Sequence, residues 1–167
     1  MSGSEARHAF PFDGVVLVAD TLEDMTTDLR THLRRDLEKT PAHVLADVTA
    51  AIRSLGLVVH HYEEPAYLAT AAANHRDDVV LSVYGGQSSR NRMALVPAIC
   101  EAFGLRFIGP DAYGRIVCQD KEISKRLARE AGLASPAYLL IRDEPDVDTL
   151  QTFPLPFVVK PIFEGSS

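Results

Sequence analysis

Two stretches of this chain place lysines where chemistry could be done. The run Phe157-Val158-Val159 is made of β-formers and delivers Lys160, after which Pro161 ends any ladder because it has no N–H to donate. Ile162-Phe163-Glu164-Gly165-Ser166-Ser167 follows, an acidic and then Gly-Ser loop whose backbone N–H groups and hydroxyls suit a phosphate. Upstream, Asp120-Lys121-Glu122-Ile123-Ser124-Lys125 opens a helix with Asp120 as its N-cap, and Lys121 and Lys125 share one helix face. Taken one at a time, these segments read equally as a polar strand end, a flexible tail and a solvated helix face.

Two further positions could meet a ligand. The first apolar run empties into Asp20-Thr21, where Asp20 either caps a following helix or faces a substrate. A later run empties into Gly85-Gly86-Gln87-Ser88-Ser89-Arg90-Asn91, and the carboxyl ends of parallel strands are where layered sheets hold ligands. Arg90 in that loop offers a planar fork that suits a carboxylate. The loop is neither a Walker A sequence nor a dinucleotide fingerprint. The adjacent His60 and His61 point to opposite faces of a strand and cannot chelate one metal together.

The elements that must position these residues alternate. Val15–Ala19, Leu57–Tyr62, Val79–Tyr84 and Arg106–Ile108 read as strands, the first and third unalternated as in a parallel strand covered on both faces. Between them, 22–39 reads as a solvated helix. Thr40-Pro41 reads as an N-cap with proline at the first helical position. Val44, Leu45, Val48, Ile52 and Leu55 recur at helical spacing, while Ala66–Asn74 and Met93–Phe103 complete the helices. Gly56-Leu57, Gly104-Leu105 and Gly132-Leu133 are three helix stops of one kind. Strand and helix alternating four times indicate an α/β domain with an open, mostly parallel sheet.

Gly109-Pro110 punctuates the chain, so 1–13 is expected as a disordered N-terminus, 14–109 as the α/β domain and 110–167 as a second unit. In that unit Asp111–Val117 and Lys121–Ala131 read as helices, the latter with a Glu122 to Arg126 pair. Tyr138–Ile141 and Phe157–Lys160 read as strands and Glu144–Gln151 as a short acidic helix, an α+β pattern.

The 167 residues are 46% hydrophobic and 24% charged, an ordinary globular composition. A net charge of −6 with no basic stripe argues against nucleic acid as the partner. Cys100 and Cys118 stand apart without a metal-type spacing, which fits a reducing, cytoplasmic setting. Nothing at the start has the build of a signal peptide, and no apolar run approaches membrane length, so no membrane association is expected.

In order along the chain, the Asp-Lys-x-x-x-Lys helix start, the Gly132 to Pro136 turn and the Val159-Lys160-Pro161 strand-loop with Glu164-Gly165-Ser166-Ser167 resemble the ATP-grasp ligases. The D-alanine-D-alanine ligase branch is the most similar. The resemblance is good from Val79 to Ser167 and extends to the earlier residues only in layout. It implies a pre-ATP-grasp domain with Rossmann-like layers followed by the first, α+β ATP-grasp subdomain. It further implies that Lys121 and Lys160 meet the phosphates of ATP, and that Glu164 and Gly165 belong to a loop closing over them. Ser166 and Ser167 then help hold a substrate carboxylate in the catalytic site. The implied reaction activates a small-molecule carboxylate as an acyl phosphate with Mg-ATP and passes it to a small-molecule amine, in a possible homodimer. Two preplaced ammonium groups suit the charge that concentrates in phosphoryl transfer.

After the first strand, Ala19-Asp20-Thr21-Leu22-Glu23 stands where these ligases carry a Gly-Gly-x-Ser-x-Glu segment. Gln87-Ser88-Ser89-Arg90 stands where they carry a Gly-Glu-Asp-Gly type of loop. The resemblance places the Mg2+ ligands and the adenine-contacting strand in a second subdomain that these 167 residues do not include. The chain by itself is therefore expected not to be catalytic. A shortened, non-catalytic relative that binds a small ligand or a protein is the other reading the sequence leaves open, and an α/β protein carrying the motifs by chance is a third.

Overall fold

A computed structural model describes residues 10–22, 39–86, 89–143 and 148–163, which form two compact units dividing between Ala112 and Tyr113.

The first unit is built on β1 (Gly14–Val18), every residue of which is buried. It pairs in parallel with β4 (Val58–Tyr62) on one side and β5 (Val79–Ser82) on the other, and β5 pairs with β6 (Arg106–Ile108). The four-stranded order is β4-β1-β5-β6, all parallel. Val16 stands opposite His60 and Val80, Val18 opposite Tyr62 and Ser82. An unalternated apolar run is what this central place requires, because both faces of β1 are covered.

On one face Val16, Val18 and Val80 pack with Leu68 and Ala72 from α2 (Pro65–Ala71) and the 3-10 turn that continues it. Val96 and Cys100 from α3 (Leu95–Phe103), together with Leu105, complete the cluster. Leu68 is fully buried, worth roughly 1.5–3 kcal/mol. α3 stops at Gly104 (φ +66), and the Leu105 amide returns to the Cys100 carbonyl at 2.9 Å, so the buried leucine is positioned by the cap.

Several expectations are corrected in this unit. Thr40-Pro41 does not cap a helix through its threonine. It forms a two-residue strand, β3 (Thr40–Pro41), parallel to β2 (Thr21–Leu22), and the threonine hydroxyl donates to the Val83 carbonyl at 3.2 Å. That long-range partner takes the hydroxyl away from the local amides. α1 (Ala42–Ser54) follows, with Leu45, Val48 and Ile52 half-buried but Val44 exposed, as is Leu55 beyond its end. The solvated helix expected over 22–39 lies, from residue 23 to 38, outside the described residues, as do positions 1–9 of the expected disordered N-terminus.

The second unit contains α4 (Ala112–Gln119), α5 (Lys121–Glu130) and a 3-10 turn at Asp148–Thr152. Of the acidic helix expected over Glu144–Gln151, residues 144–147 lie outside the described residues. Tyr138–Ile141 and Phe157–Lys160, expected as strands, join no ladder among the described residues. Val158 and Val159 are 77% and 72% exposed, and β-propensity alone, without a partner for the backbone groups, makes no strand. Glu122 meets Arg142 at 3.3 Å, a partner 20 positions away in place of the expected Arg126. Among the described residues no helix is long and apolar enough to cross a membrane.

Candidate functional site

In the first unit the carboxyl ends of β1 and β5 are tied by one side chain. Asp20, 6% exposed, accepts from the Gly85 amide through Oδ1 at 2.8 Å and from the Gly86 amide through Oδ2 at 2.9 Å. The helix cap expected of Asp20 is thus replaced by a clamp on the loop that leaves β5. A carboxylate shared by two N–H donors makes a charge-assisted contact stronger than a neutral one. Gly86 has φ +64, and a Cβ there would come within 2.5 Å of the Tyr84 ring, so the turn tolerates only glycine.

Tyr84 itself is buried and donates its hydroxyl to Glu64 at 3.0 Å. Burial first, and then the Glu64 carboxylate, pushes the phenol up to about 12. His61 brings Nε2 to 3.0 Å from the Ala19 carbonyl at the same end of the sheet. Beyond the loop, whose Gln87 and Ser88 lie outside the described residues, Arg90 is exposed and Arg92 is buried. Arg92 lies against the Gly86 turn, with its Cβ 3.1 Å from where a Gly86 Cβ would be. Sequence reading singled out Arg90 and passed over Arg92. The signal for Arg92 was weak, since it opens a one-turn 3-10 segment (Arg92–Ala94) too short to show a period.

In the second unit the two lysine motifs come together. Asp120 caps α5 as its sequence predicts, its carboxylate oxygen accepting from the Glu122 and Ile123 amides at 3.0 Å each. The Lys121 ammonium donates to the Pro161 carbonyl at 2.8 Å, and the Lys121 amide donates to the Ile162 carbonyl at 3.2 Å. Gln119 Nε2 donates to the Phe163 carbonyl at 2.6 Å. Residues 161–163 therefore lie along the α4–α5 junction, with Lys160 exposed just before them. Lys125 does not join this group: its ammonium sits 5.0 Å from the Tyr138 ring centroid, which Arg129 approaches at the same distance. Glu164, Gly165, Ser166 and Ser167 lie outside the described residues.

No protein-family model matches the chain. Curated relatives do: a D-alanine–D-alanine ligase of Sodalis glossinidius is 36% identical over 95 residues, covering 54% of this chain and 25% of that enzyme. A vancomycin/teicoplanin A-type resistance protein of Enterococcus faecium is 33% identical over 90 residues, with the same coverage. A D-alanine–D-alanine ligase of Xanthomonas axonopodis pv. citri is 28% identical over 125 residues, covering 72% of this chain and 39% of the enzyme. The chain thus spans about a quarter to two fifths of the length of these relatives. Among solved structures, the D-alanine–D-alanine ligase of Bacillus anthracis complexed with ATP aligns over 82% of this chain and 43% of its own, with 16% identity and a TM-score of 0.46.

Proposed function

We propose that this chain forms the amino-terminal α/β layer and the first nucleotide-contacting elements of an ATP-dependent carboxylate-amine ligase, similar to the D-alanine–D-alanine ligases it matches. The observation that carries the reading is the Lys121 ammonium on the Pro161 carbonyl, which brings the start of α5 against the residue that follows Lys160. Lysines carried by two segments so joined suit a polyphosphate, because preplaced positive groups attract charge already concentrated on a ligand.

In this reading Lys121 and Lys160 hold the nucleotide phosphates. Glu164 and Gly165 belong to the loop that covers them, and Ser166 and Ser167 orient the acid to be activated. ATP supplies the phosphoryl group that makes the acid's carboxylate reactive toward an amine. Arg90, exposed on the loop after β5, grips a substrate carboxylate. Asp20, earlier a candidate for substrate contact, acts as a positioning residue, because its oxygens already hold the Gly85 and Gly86 amides and set the exit of that loop. Magnesium prefers an all-oxygen shell of carboxylates, phosphate and water. The described three-donor cluster, His60 with His75 and Asp78, is not of that kind, and no step is assigned to magnesium on these residues.

Calorimetric titration with Mg-ATP tests the nucleotide site. Lys160→Ala and Lys121→Ala are each expected to weaken binding at least tenfold, about 1.4 kcal/mol, with circular dichroism unchanged. Wild-type affinity in both variants defeats the assignment. On the full-length protein bearing this sequence, phosphate release that depends on an added amino acid separates a ligase from a relative that only binds. Arg90→Ala is expected to raise the KM for the acid rather than for ATP.

A further inference from the structure

The amino-terminal end of the sheet carries a cluster that the ligase reading does not use. His75, 3% exposed, ends the 3-10 turn after α2, and Asp78, 8% exposed, immediately precedes β5. His75 Nδ1 lies 2.8 Å from Asp78 Oδ2, and the Tyr62 hydroxyl lies 2.8 Å from His75 Nε2. His60, two residues before Tyr62 on β4, shares its face of the strand and brings Nε2 to 4.0 Å from the same Asp78 oxygen. The His60 ring lies 4.9 Å from that of His75, and the three donor atoms all fall within 4.8 Å of one another.

A Tyr62–His75–Asp78 chain of hydrogen bonds accounts for burying an imidazole beside a carboxylate. It gives no reason for His60, whose side chain is 44% exposed, to lean over the same oxygen. We propose that His60 Nε2, His75 Nδ1 and Asp78 Oδ2 bind a divalent cation of the zinc class, with water completing the shell on the exposed side of His60. Two imidazoles and a carboxylate are a donor set that suits zinc. Tyr62 then plays the outer role that metal-binding histidines need, its hydroxyl oxygen accepting the Nε2 proton and so turning the Nδ1 lone pair toward the ion.

The spacing asks most of the exposed His60. Tetrahedral ligands at about 2.0–2.1 Å from zinc stand ~3.3 Å apart. The 2.8 Å His75–Asp78 pair opens by about 0.5 Å as the ion takes the place of the proton between them and the neutral imidazole carries its proton on Nε2 instead; the 4.0 Å His60–Asp78 pair closes by about 0.7 Å, and the His60 and His75 donors, within 4.8 Å of each other, close by up to ~1.5 Å. The half-exposed His60 side chain can make that movement by rotating. A bound ion would tie β4, the turn after α2 and the start of β5 together.

The probe is the metal alone: metal-free protein titrated with Zn2+, and with Co2+ for its visible spectrum. One equivalent of zinc is expected to bind, raising the thermal midpoint, and Co2+ is expected to develop the intense visible bands of a four-coordinate site. His60→Ala, at the exposed position, is expected to keep the metal-free fold and lose at least tenfold in zinc affinity. Tyr62→Phe is expected to lose less, with the cobalt spectrum altered. Absence of saturable zinc binding overturns the site, and so does unchanged affinity in His60→Ala, which would place the ion on other histidines.

Discussion

The two units hold together by different means. In the first, four parallel strands share ladders, and the central one is buried from end to end. In the second, no ladder is found among the described residues. Residues 161–163 are held to the α4–α5 junction by the Gln119 and Lys121 side chains and one backbone amide. The first arrangement takes its stability from apolar area and shared hydrogen bonds, and so loses heavily when one core side chain is cut. The second rests on polar contacts at partly exposed positions, each of which contributes little alone.

The largest effect expected is in the sheet unit. Leu68→Ala removes a fully buried side chain from the cluster around Val16, Val80 and Val96, and is expected to cost about 2–5 kcal/mol in urea unfolding. A cost below ~1 kcal/mol would break the contrast, since the first unit would then be as loosely held as the second.

Next comes the clamp at the carboxyl end of the strands. Asp20→Asn leaves one carbonyl oxygen where two charged oxygens serve the Gly85 and Gly86 amides, and is expected to cost about 1–3 kcal/mol. Hydrogen exchange at those two amides is expected to quicken. If exchange there is unchanged, the clamp does not hold the loop.

Tyr84 sharpens the comparison through pH. Its phenol keeps its proton more tightly folded, at about 12, than unfolded, at an ordinary 10.0. The resulting stabilisation is complete below pH 10.0 and is lost as pH rises toward about 12. Subtracting the pH profile of Tyr84→Phe from that of the wild type is expected to isolate this loss. A flat difference over that window would show that the phenol is as accessible as an unfolded one.

The smallest effect is expected in the second unit. Asp120→Ala frees the Glu122 and Ile123 amides and is expected to cost about 1 kcal/mol, read as faster exchange in the first turn of α5. Loss of Mg-ATP binding in the same variant would mean that the cap also sets Lys121 for its ligand.

Much of this was legible from local chemistry. The unalternated Val15–Ala19 run, the three Gly-Leu stops and the Asp120 cap are settled by residues within a few positions of one another, and the structure carries each of them. Thr40, Asp20 and Glu122 went elsewhere because their best partners are distant: Val83, Gly85 with Gly86, and Arg142. Local propensity gives these side chains several equivalent choices, and only the folded neighbourhood ranks them. His60 shows the same limit, since its sequence neighbour His61 lies across the strand while the buried His75 and Asp78 reach it through the β1–β4–β5 layer.

By itself, then, the sequence determined the four parallel strands of the first unit, the capped start of α5 and the order of the two lysine motifs, because each depends on hydrophobic period, turn chemistry or residue order. Only the tertiary structure decided that Lys121 rests on the Pro161 carbonyl, that Asp20 clamps the β5 exit, and that two histidines and an aspartate meet near the amino-terminal end of β5. These are contacts between segments far apart in the chain, and their partners are chosen by how the strands are ordered and which faces they cover, information that no short window of residues contains.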